Sequence, residues 1–321
     1  MMRRKQNGMV LVTVLLIVAL VALVAHQLLY QQTLSLKRSS LNLHQAQIQA
    51  METGLVQWVK TGLAQDGAHT DIDHLGQPWA QPMLPVQFGG GEIAGRLWDA
   101  QARLNLNAPG LVDSNALFER WQGVYRRMGQ NRDVPQGLAA LLADWVDQDT
   151  TPRAQGAEAD QYLLQRPPRR SADRPMVLAQ EMTQLLGMDW LRFQPLQADV
   201  VALPEATPVN VNTASASVLT WLAESITPDL AQQWIEWRRQ APAENNQAFR
   251  SFLAQTSGQT LAQIETALPD DLISVRSAYF LLQGEVRLGS LSVTVWALFH
   301  RSRTQGQPQV QLIQRWQSAL S

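Results

Sequence analysis

MMRRKQNG (1–8) followed by MVLVTVLLIVALVALVAHQLLY (9–30) decides how the rest of the chain is read. Arg3, Arg4 and Lys5 form a basic leader that ends at Gly8, and from Met9 to Ala25 the one residue with a strong polar group is Thr13. No acid occurs before Glu52. At about 1.5 Å of rise per helical residue, Met9 to Leu29 reaches the thickness of a bilayer's hydrocarbon core. The segment reads as a membrane-spanning helix. Cations stand before it and none within it, so the positive-inside tendency keeps the N-terminus cytoplasmic and sends the remaining chain across the membrane. A cleaved secretory signal needs a shorter apolar run with small residues just after it, which His26, Gln27 and Leu28 do not provide.

The 321 residues are 45% hydrophobic, enough material for two domains beyond the helix. A formal net charge of -1 gives no general attraction for polyanions, so nucleic-acid binding would need a local basic patch. There is no Cys, which removes both a disulfide framework and thiol chemistry and leaves the core or bound ions to hold the chain. Several of the 11 Trp fall at helical spacing and read as packing anchors.

Beyond the apolar run the helical pattern continues. Leu41, Ile48 and Leu55 recur at seven, and Met51, Leu55, Trp58 and Val59 follow a helical stripe. Lys37 and Arg38 mark the exit from the bilayer, and one helix is expected from Met9 to about Lys60. Residues 61–91 are rich in Gly and Pro and read as loop. EIAGRLWDAQARLNLNAPG (92–110) alternates Ile93, Leu97, Leu104 and Leu106 about Asp99-Ala100-Gln101 and reads as a β-hairpin. Strand-like runs return at 277–286, 291–301 and 310–316. The intervening block reads as helix: Asp113-Ser114 caps a stripe at Leu117, Trp121, Val124 and Met128, and Leu138, Leu141, Leu142 and Trp145 form a second. Further helices are expected over 177–186, 214–224, 228–239 and 248–255. Strands split by a block of helices imply an insertion. The predicted class is α+β: a leader (1–8), a long helix (9–60), a β-sheet head from 61–110 plus 272–321, and an inserted α-helical domain (111–271) of SAM-like or helix-hairpin-helix-like modules.

The basic leader ending in Gly8 before an apolar run resembles the type IV prepilin family, in which a prepilin peptidase cuts after the glycine and methylates the new terminal amine, here that of Met9. Asn7 stands where that family usually has Lys or Arg, and Met9 where it usually has Phe. Most prepilins carry Glu at the fifth mature position, which is Thr13 here. A carboxylate inside the bilayer is costly unless paired, and in a filament it meets the free amine of the subunit above. Thr13 therefore fits a subunit with nothing above it, and equally an ordinary anchor.

Together with DWVDQDTTPRAQGAEADQYLLQRPPRR (144–170), ADRPMVLAQEMTQLLGM (172–188) and PVNVNTASASVL (208–219), this organisation resembles the K-type minor pseudopilin of type II secretion systems over essentially the full length. The resemblance implies a non-enzymatic tip subunit of a periplasmic pseudopilus that helps start its assembly with the I-type and J-type minor pseudopilins. It implies a single-pass inner-membrane protein with a periplasmic C-terminal domain. Implied contacts extend to other pseudopilins, the assembly platform, the secretin and exported proteins.

Asp144, Asp147 and Asp149 fall at the C-terminal end of a helix, where anions oppose the helix dipole and repel one another. Glu158 and Asp160 follow in a loop with no apolar stripe. Oxygen ligands gathered from one loop suit calcium, although no Gly stands where an EF-hand needs it. The family resemblance implies calcium here, and the matching positions are Asp147, Asp149, Glu158 and Asp160 with the Thr151 carbonyl. Direct neutralisation by Arg153, Arg166, Arg169 and Arg170 is the alternative.

PVNVNTASASVLTWLAESITPDLAQQWIEWRR (208–239) also resembles the helix-hairpin-helix segment of membrane-anchored competence DNA receptors, in which a glycine-rich hairpin offers backbone N–H groups to a phosphate. Here the hairpin is Ser225-Ile226-Thr227-Pro228 followed by Asp229. It lacks glycine, lacks one N–H at the proline and places an anion at the phosphate position, so no nucleic acid is expected. Arg238 and Arg239 read as a solvated helix end. HTDIDH (69–74) is open to a metal or a solvated-loop reading. No HExxH, GxSxG or phosphate-binding glycine loop occurs, so no catalytic residue is expected.

Overall fold

The computed structural model describes residues 7–130 and 132–319, so most of the basic leader lies outside the described residues. Helix α1, Asn7–His69, is one uninterrupted rod of 63 residues. Residues 9–43 are exposed throughout, and burial begins at Ile48. The exposed part is long and apolar enough to cross a membrane. The rod runs past the expected end at Lys60, with Leu63 still facing the core, and close approach is made at Gly54 before that point and at Gly67 beyond it. A Cβ at Gly54 would meet the Phe88 ring at 2.7 Å, and one at Gly67 would meet Arg301 at 3.1 Å.

The remaining elements in chain order are β1 (Met83–Phe88), β2 (Gly91–Asp99), β3 (Leu104–Asn105), α2 (Ala108–Leu111), α3 (Asn115–Gly129), α4 (Leu138–Val146), α5 (Ala159–Leu163), α6 (Trp190–Phe193), β4 (Val200–Val201) and β5 (Val209–Asn210). They continue with α7 (Ala216–Leu222), α8 (Pro228–Arg238), α9 (Asn246–Ser257), α10 (Leu261–Ala267), β6 (Ile273–Ser274), β7 (Tyr279–Leu288), β8 (Leu291–Thr304) and β9 (Gln307–Ala319). One antiparallel sheet has the order β1-β2-β7-β8-β9. Its inner face, with Leu97, Phe280, Leu282, Val295 and Phe299, packs on Met51, Leu55, Val59 and Leu63 of α1. Gly284 is required there, since a Cβ would meet Leu55 at 2.5 Å.

β2 and β7 are neighbours, with Asp99 opposite Phe280, and residues 100–278 form the excursion between them. The expected hairpin about Asp99-Ala100-Gln101 does not form. Asp99 Oδ1 instead accepts the Gln101 N–H at 2.8 Å and caps a 3-10 turn that carries the chain off the sheet. Leu104 and Leu106 are then buried in the helical core. The segment 177–186 is a 3-10 helix over Ala179–Gln184 rather than a full α-helix.

Within the excursion, two units share one plan. β3 pairs parallel with β4, and β5 pairs parallel with β6. In the first unit Asn105 Oδ1 accepts the Asn107 N–H at 3.1 Å, and Asn107 brackets the Met176 backbone, accepting its N–H at 2.8 Å and donating to its carbonyl at 2.9 Å. In the second, Asn210 Oδ1 accepts the Asn212 N–H at 2.9 Å, and Asn212 brackets Ala243 at 2.8 and 2.9 Å. LNLNAP (104–109) and VNVNTA (209–214) are thus two copies of one closure.

Candidate metal centre

Helix α4 is buried along its whole length, which leaves its C-terminal acids at the edge of the core. Asp144 is 0% exposed and accepts the Arg153 N–H at 3.0 Å and Arg153 Nη1 at 2.8 Å. Gly156 makes room for it, since a Cβ there would lie 2.0 Å from Asp144 Oδ2. The same Arg153 nitrogen pairs with Asp147 Oδ2, and its guanidinium lies over the Phe118 ring at 5.3 Å. Burial raises the Asp144 pKa, opposed by these Arg153 bonds.

Carboxylate oxygens of Asp147, Asp149 and Glu158 all lie within 4.8 Å of one another. Asp149 Oδ1 shapes the loop by accepting the Thr151 N–H at 2.8 Å. Glu158 precedes α5, its N–H donating to Gln161 Oε1 at 2.8 Å, and its side chain is buried. Burial and then the charges of Asp144, Asp147, Asp149 and Asp173 push its pKa up to about 7. Asp147 Oδ1 and Glu158 Oε1 are buried without a hydrogen-bond partner among the described residues. Buried acceptors left unpaired are costly, and three converging carboxylates repel. An all-oxygen donor set of this kind fits a hard divalent cation such as calcium.

Of the residues expected here, the structure brings together Asp147, Asp149 and Glu158. Asp160 is exposed in the first turn of α5 and stands outside that cluster. Of the arginines expected to neutralise the loop, Arg153 serves Asp144 and Asp147, whereas Arg169 is directed to Gln184 and the Tyr162 ring.

The other two candidate sites resolve differently. In HTDIDH, Asp73 is buried against Arg301, whose Nη1 also holds Asp66 at 2.9 Å, and Asp71 pairs with Arg276 at 3.1 Å and Arg303 at 2.7 Å. Arginines take the place a metal would occupy. The polar residues of VNVNTA point inward: Asn210 Nδ2 donates to the Asp73 carbonyl, Asp99 Oδ2 and Ser277 Oγ at 3.1, 3.0 and 2.9 Å, and Thr213 donates to Asp99 Oδ2 at 2.5 Å. Arg238 is not the solvated cation expected from the sequence; it is buried and donates to the Val211 carbonyl at 2.7 Å. Burial and Arg239 push its pKa down to about 10. These pins escaped the sequence reading, although the repeated Asn-x-Asn at 105/107 and 210/212 was the available signal.

A family model described as "Type II secretion system (T2SS), protein K" matches residues 102–205, and a second with the same description matches residues 209–276. These spans follow the two units described above. Type II secretion system protein K of Pseudomonas aeruginosa is 36% identical over 300 residues, covering 90% of this chain and 86% of that protein. The protein of the same name from Pectobacterium carotovorum is 28% identical over 330 residues, covering 98% of this chain and 97% of that protein. The fold is similar, with a TM-score of 0.74 at 24% identity, to a chain in the crystal structure of the GspK-GspI-GspJ complex of the enterotoxigenic Escherichia coli type 2 secretion system, covering 88% of this chain and 100% of that one. A bare apolar rod beneath a small sheet, two matched helical units inserted in that sheet, and relatives that share nearly the whole length place the chain in the type II secretion system protein K family of minor pseudopilins.

Proposed function

We propose that this chain caps the tip of a periplasmic pseudopilus and helps begin its assembly, as a structural and not a catalytic subunit. The observation that carries this reading is where the helical block attaches. Asp66, near the C-terminal end of α1, is tied through Arg301 to Asp73, and the Asp73 carbonyl accepts Asn210 of the second unit. The block is thereby fixed at the end of the rod opposite the apolar segment, where a further subunit would have to add. Thr13, in place of an acid needing a partner above, supports the same position.

In this reading α1 spans the inner membrane with the basic leader cytoplasmic, and prepilin peptidase cuts after Gly8 and methylates Met9. The I-type and J-type minor pseudopilins are the partners, by analogy with the structurally similar GspK-GspI-GspJ complex. Contacts with other pseudopilins, the assembly platform, the secretin and exported proteins follow from the tip position. Calcium at Asp147, Asp149 and Glu158 would supply positive charge to carboxylates that the fold brings together, two of whose oxygens are buried without a hydrogen-bond partner among the described residues. The ion's part is structural.

The test is co-purification of the full chain with I-type and J-type partners, together with the intact mass of the native protein. A stable ternary complex and loss of residues 1–8 with a methylated Met9 are expected. Failure to form that complex, or an intact unmethylated terminus in cells with working peptidase, contradicts the proposal.

A further inference from the structure

Each carboxylate of the acid loop has two oxygens, and the fold uses them unequally. Asp147 Oδ2 is taken by Arg153, while Asp147 Oδ1 is buried without a partner among the described residues. Asp149 Oδ1 is committed to the Thr151 N–H at 2.8 Å. Glu158 is only 4% exposed, and its Oε1 is also buried without a partner among the described residues. A carboxylate so deeply buried, unpaired on one oxygen and set with two others within 4.8 Å, is a ligand held ready for a cation.

The hold on Asp147 is built from Asp144 outward. Asp144 is fully buried in the last turn of α4 and fixes Arg153 at two points: its Oδ2 accepts the Arg153 backbone N–H at 3.0 Å, and its Oδ1 accepts Nη1 at 2.8 Å. The Arg153 carbonyl closes the following turn by accepting the Gly156 N–H at 2.9 Å, and Phe118 of α3 lies 5.3 Å from the guanidinium. Main chain and side chain are therefore both tied down. The same Nη1 then reaches Asp147 Oδ2.

A cation beside three acids can do one of two things: take the ion's place, or orient a ligand for it. A replacement would neutralise the cluster. Arg153 leaves Asp147 Oδ1 and Glu158 Oε1 unpaired, and its charge is shared with Asp144, which stands outside the three-carboxylate cluster. The Asp144–Arg153 pair thus cancels itself, and the cluster keeps its demand for a divalent cation. Metal ligands are commonly oriented by hydrogen bonds on the atoms that do not touch the metal, and Asp147 Oδ2 carries such a bond.

We propose that Arg153 is a positioning residue of the metal centre: anchored on Asp144, it grips Asp147 by one oxygen so that the other is presented to the cation. This rests on the calcium reading above and adds to it a cation that serves the ion's site instead of competing for it.

The experiment titrates calcium calorimetrically into the chelator-stripped full chain in detergent, with the denaturation midpoint of each chelated protein measured alongside. The wild type should bind saturably. Asp144→Asn with Arg153→Met removes one charge of each sign, so the net charge around the centre is kept while Asp147 loses its hold, and calcium should bind about tenfold or more weakly. Arg153→Lys keeps the charge on a shorter arm without the planar fork and should weaken binding by a smaller factor. A merely structural role would lower the chelated midpoint and leave the calcium affinity of the folded protein unchanged. Wild-type affinity in the double variant, or in Arg153→Lys where the double variant does not fold, overturns the proposal, as does tighter binding, the signature of a competitor removed. Absence of calcium binding by the wild type is a different result, and it overturns the calcium reading itself.

Discussion

The two units of the helical block close in the same way and enclose different things. In both, the first asparagine fixes its own turn and the second brackets a downstream backbone residue. The bracket spans 69 residues from Asn107 to Met176 but only 31 from Asn212 to Ala243. The longer span in the first unit contains the acid loop with Asp147, Asp149 and Glu158. The second unit instead plugs its first asparagine into the sheet head through Asp99, whereas Asn105 donates to the Glu205 carbonyl and Thr207 between the units. One closure thus serves two ends: the first unit holds clustered charge, and the second fastens the block to the rod.

The comparison breaks most readily at the brackets. Asn107→Ala strands the Met176 N–H and the Met176 and Leu203 carbonyls, and with buried groups at about 1–3 kcal/mol each it should cost about 3–5 kcal/mol in chemical denaturation. Asn212→Ala strands the two backbone groups of Ala243 and should cost about 2–4 kcal/mol. If either variant denatures like wild type, the shared closure is not what holds its unit.

Calcium sharpens the difference between the units. At about a hundredfold excess over its dissociation constant, the ion should add about 2.7 kcal/mol of stability, and chelator should remove it. Glu158→Gln and Asp147→Asn should abolish that response, and hydrogen exchange should place the protection in the first unit. Equal melting midpoints with calcium and with chelator for the wild-type protein contradict the cation assignment.

A third effect is confined to the second unit's attachment. Burial pushes the Asp99 pKa up to about 6 from an ordinary 3.8, against hydrogen bonds from Thr213 and Ser277. The folded chain then holds a proton there that the unfolded chain has released. The stability this group contributes is full below the unfolded value and is lost as pH rises through about 6. Between about pH 4 and pH 7 the wild type should lose on the order of 2–3 kcal/mol from this group, and Asp99→Asn should show that much less loss. Matching pH profiles for the two proteins would refute it. The smallest effect is at Arg239, an exposed partner of Glu236, where Ala should cost less than about 1 kcal/mol. Arg238→Ala, one residue earlier, removes one of two donors to the buried Val211 carbonyl, which keeps the Trp234 indole N–H at 2.8 Å, and should cost about 1 kcal/mol.

Much of this architecture was legible from periodicity. The apolar run and the Met51, Leu55, Val59 stripe announce α1, and the strand-like runs at 277–286, 291–301 and 310–316 announce β7 to β9. Sequence patterning misjudged places where a local signal meets a tertiary demand. Gly62 and Gly67 read as loop yet sit inside α1, and at Gly67 the reason is Arg301 packed close by. Leu104 and Leu106 alternate like a strand, but the turn capped by Asp99 delivers them to the helical core. The acid loop was legible because like charges cannot gather without compensation, although Asp144 proved to be Arg153's partner. The brackets were not, because an asparagine reaching a backbone 31 or 69 residues away leaves no periodic trace.

The central claim, that this subunit rides at the end of a filament, is tested most directly by labelling the helical block with an antibody on pseudopili assembled with all minor pseudopilins. A single label at one end of each filament is predicted. Label distributed along the shaft would contradict it.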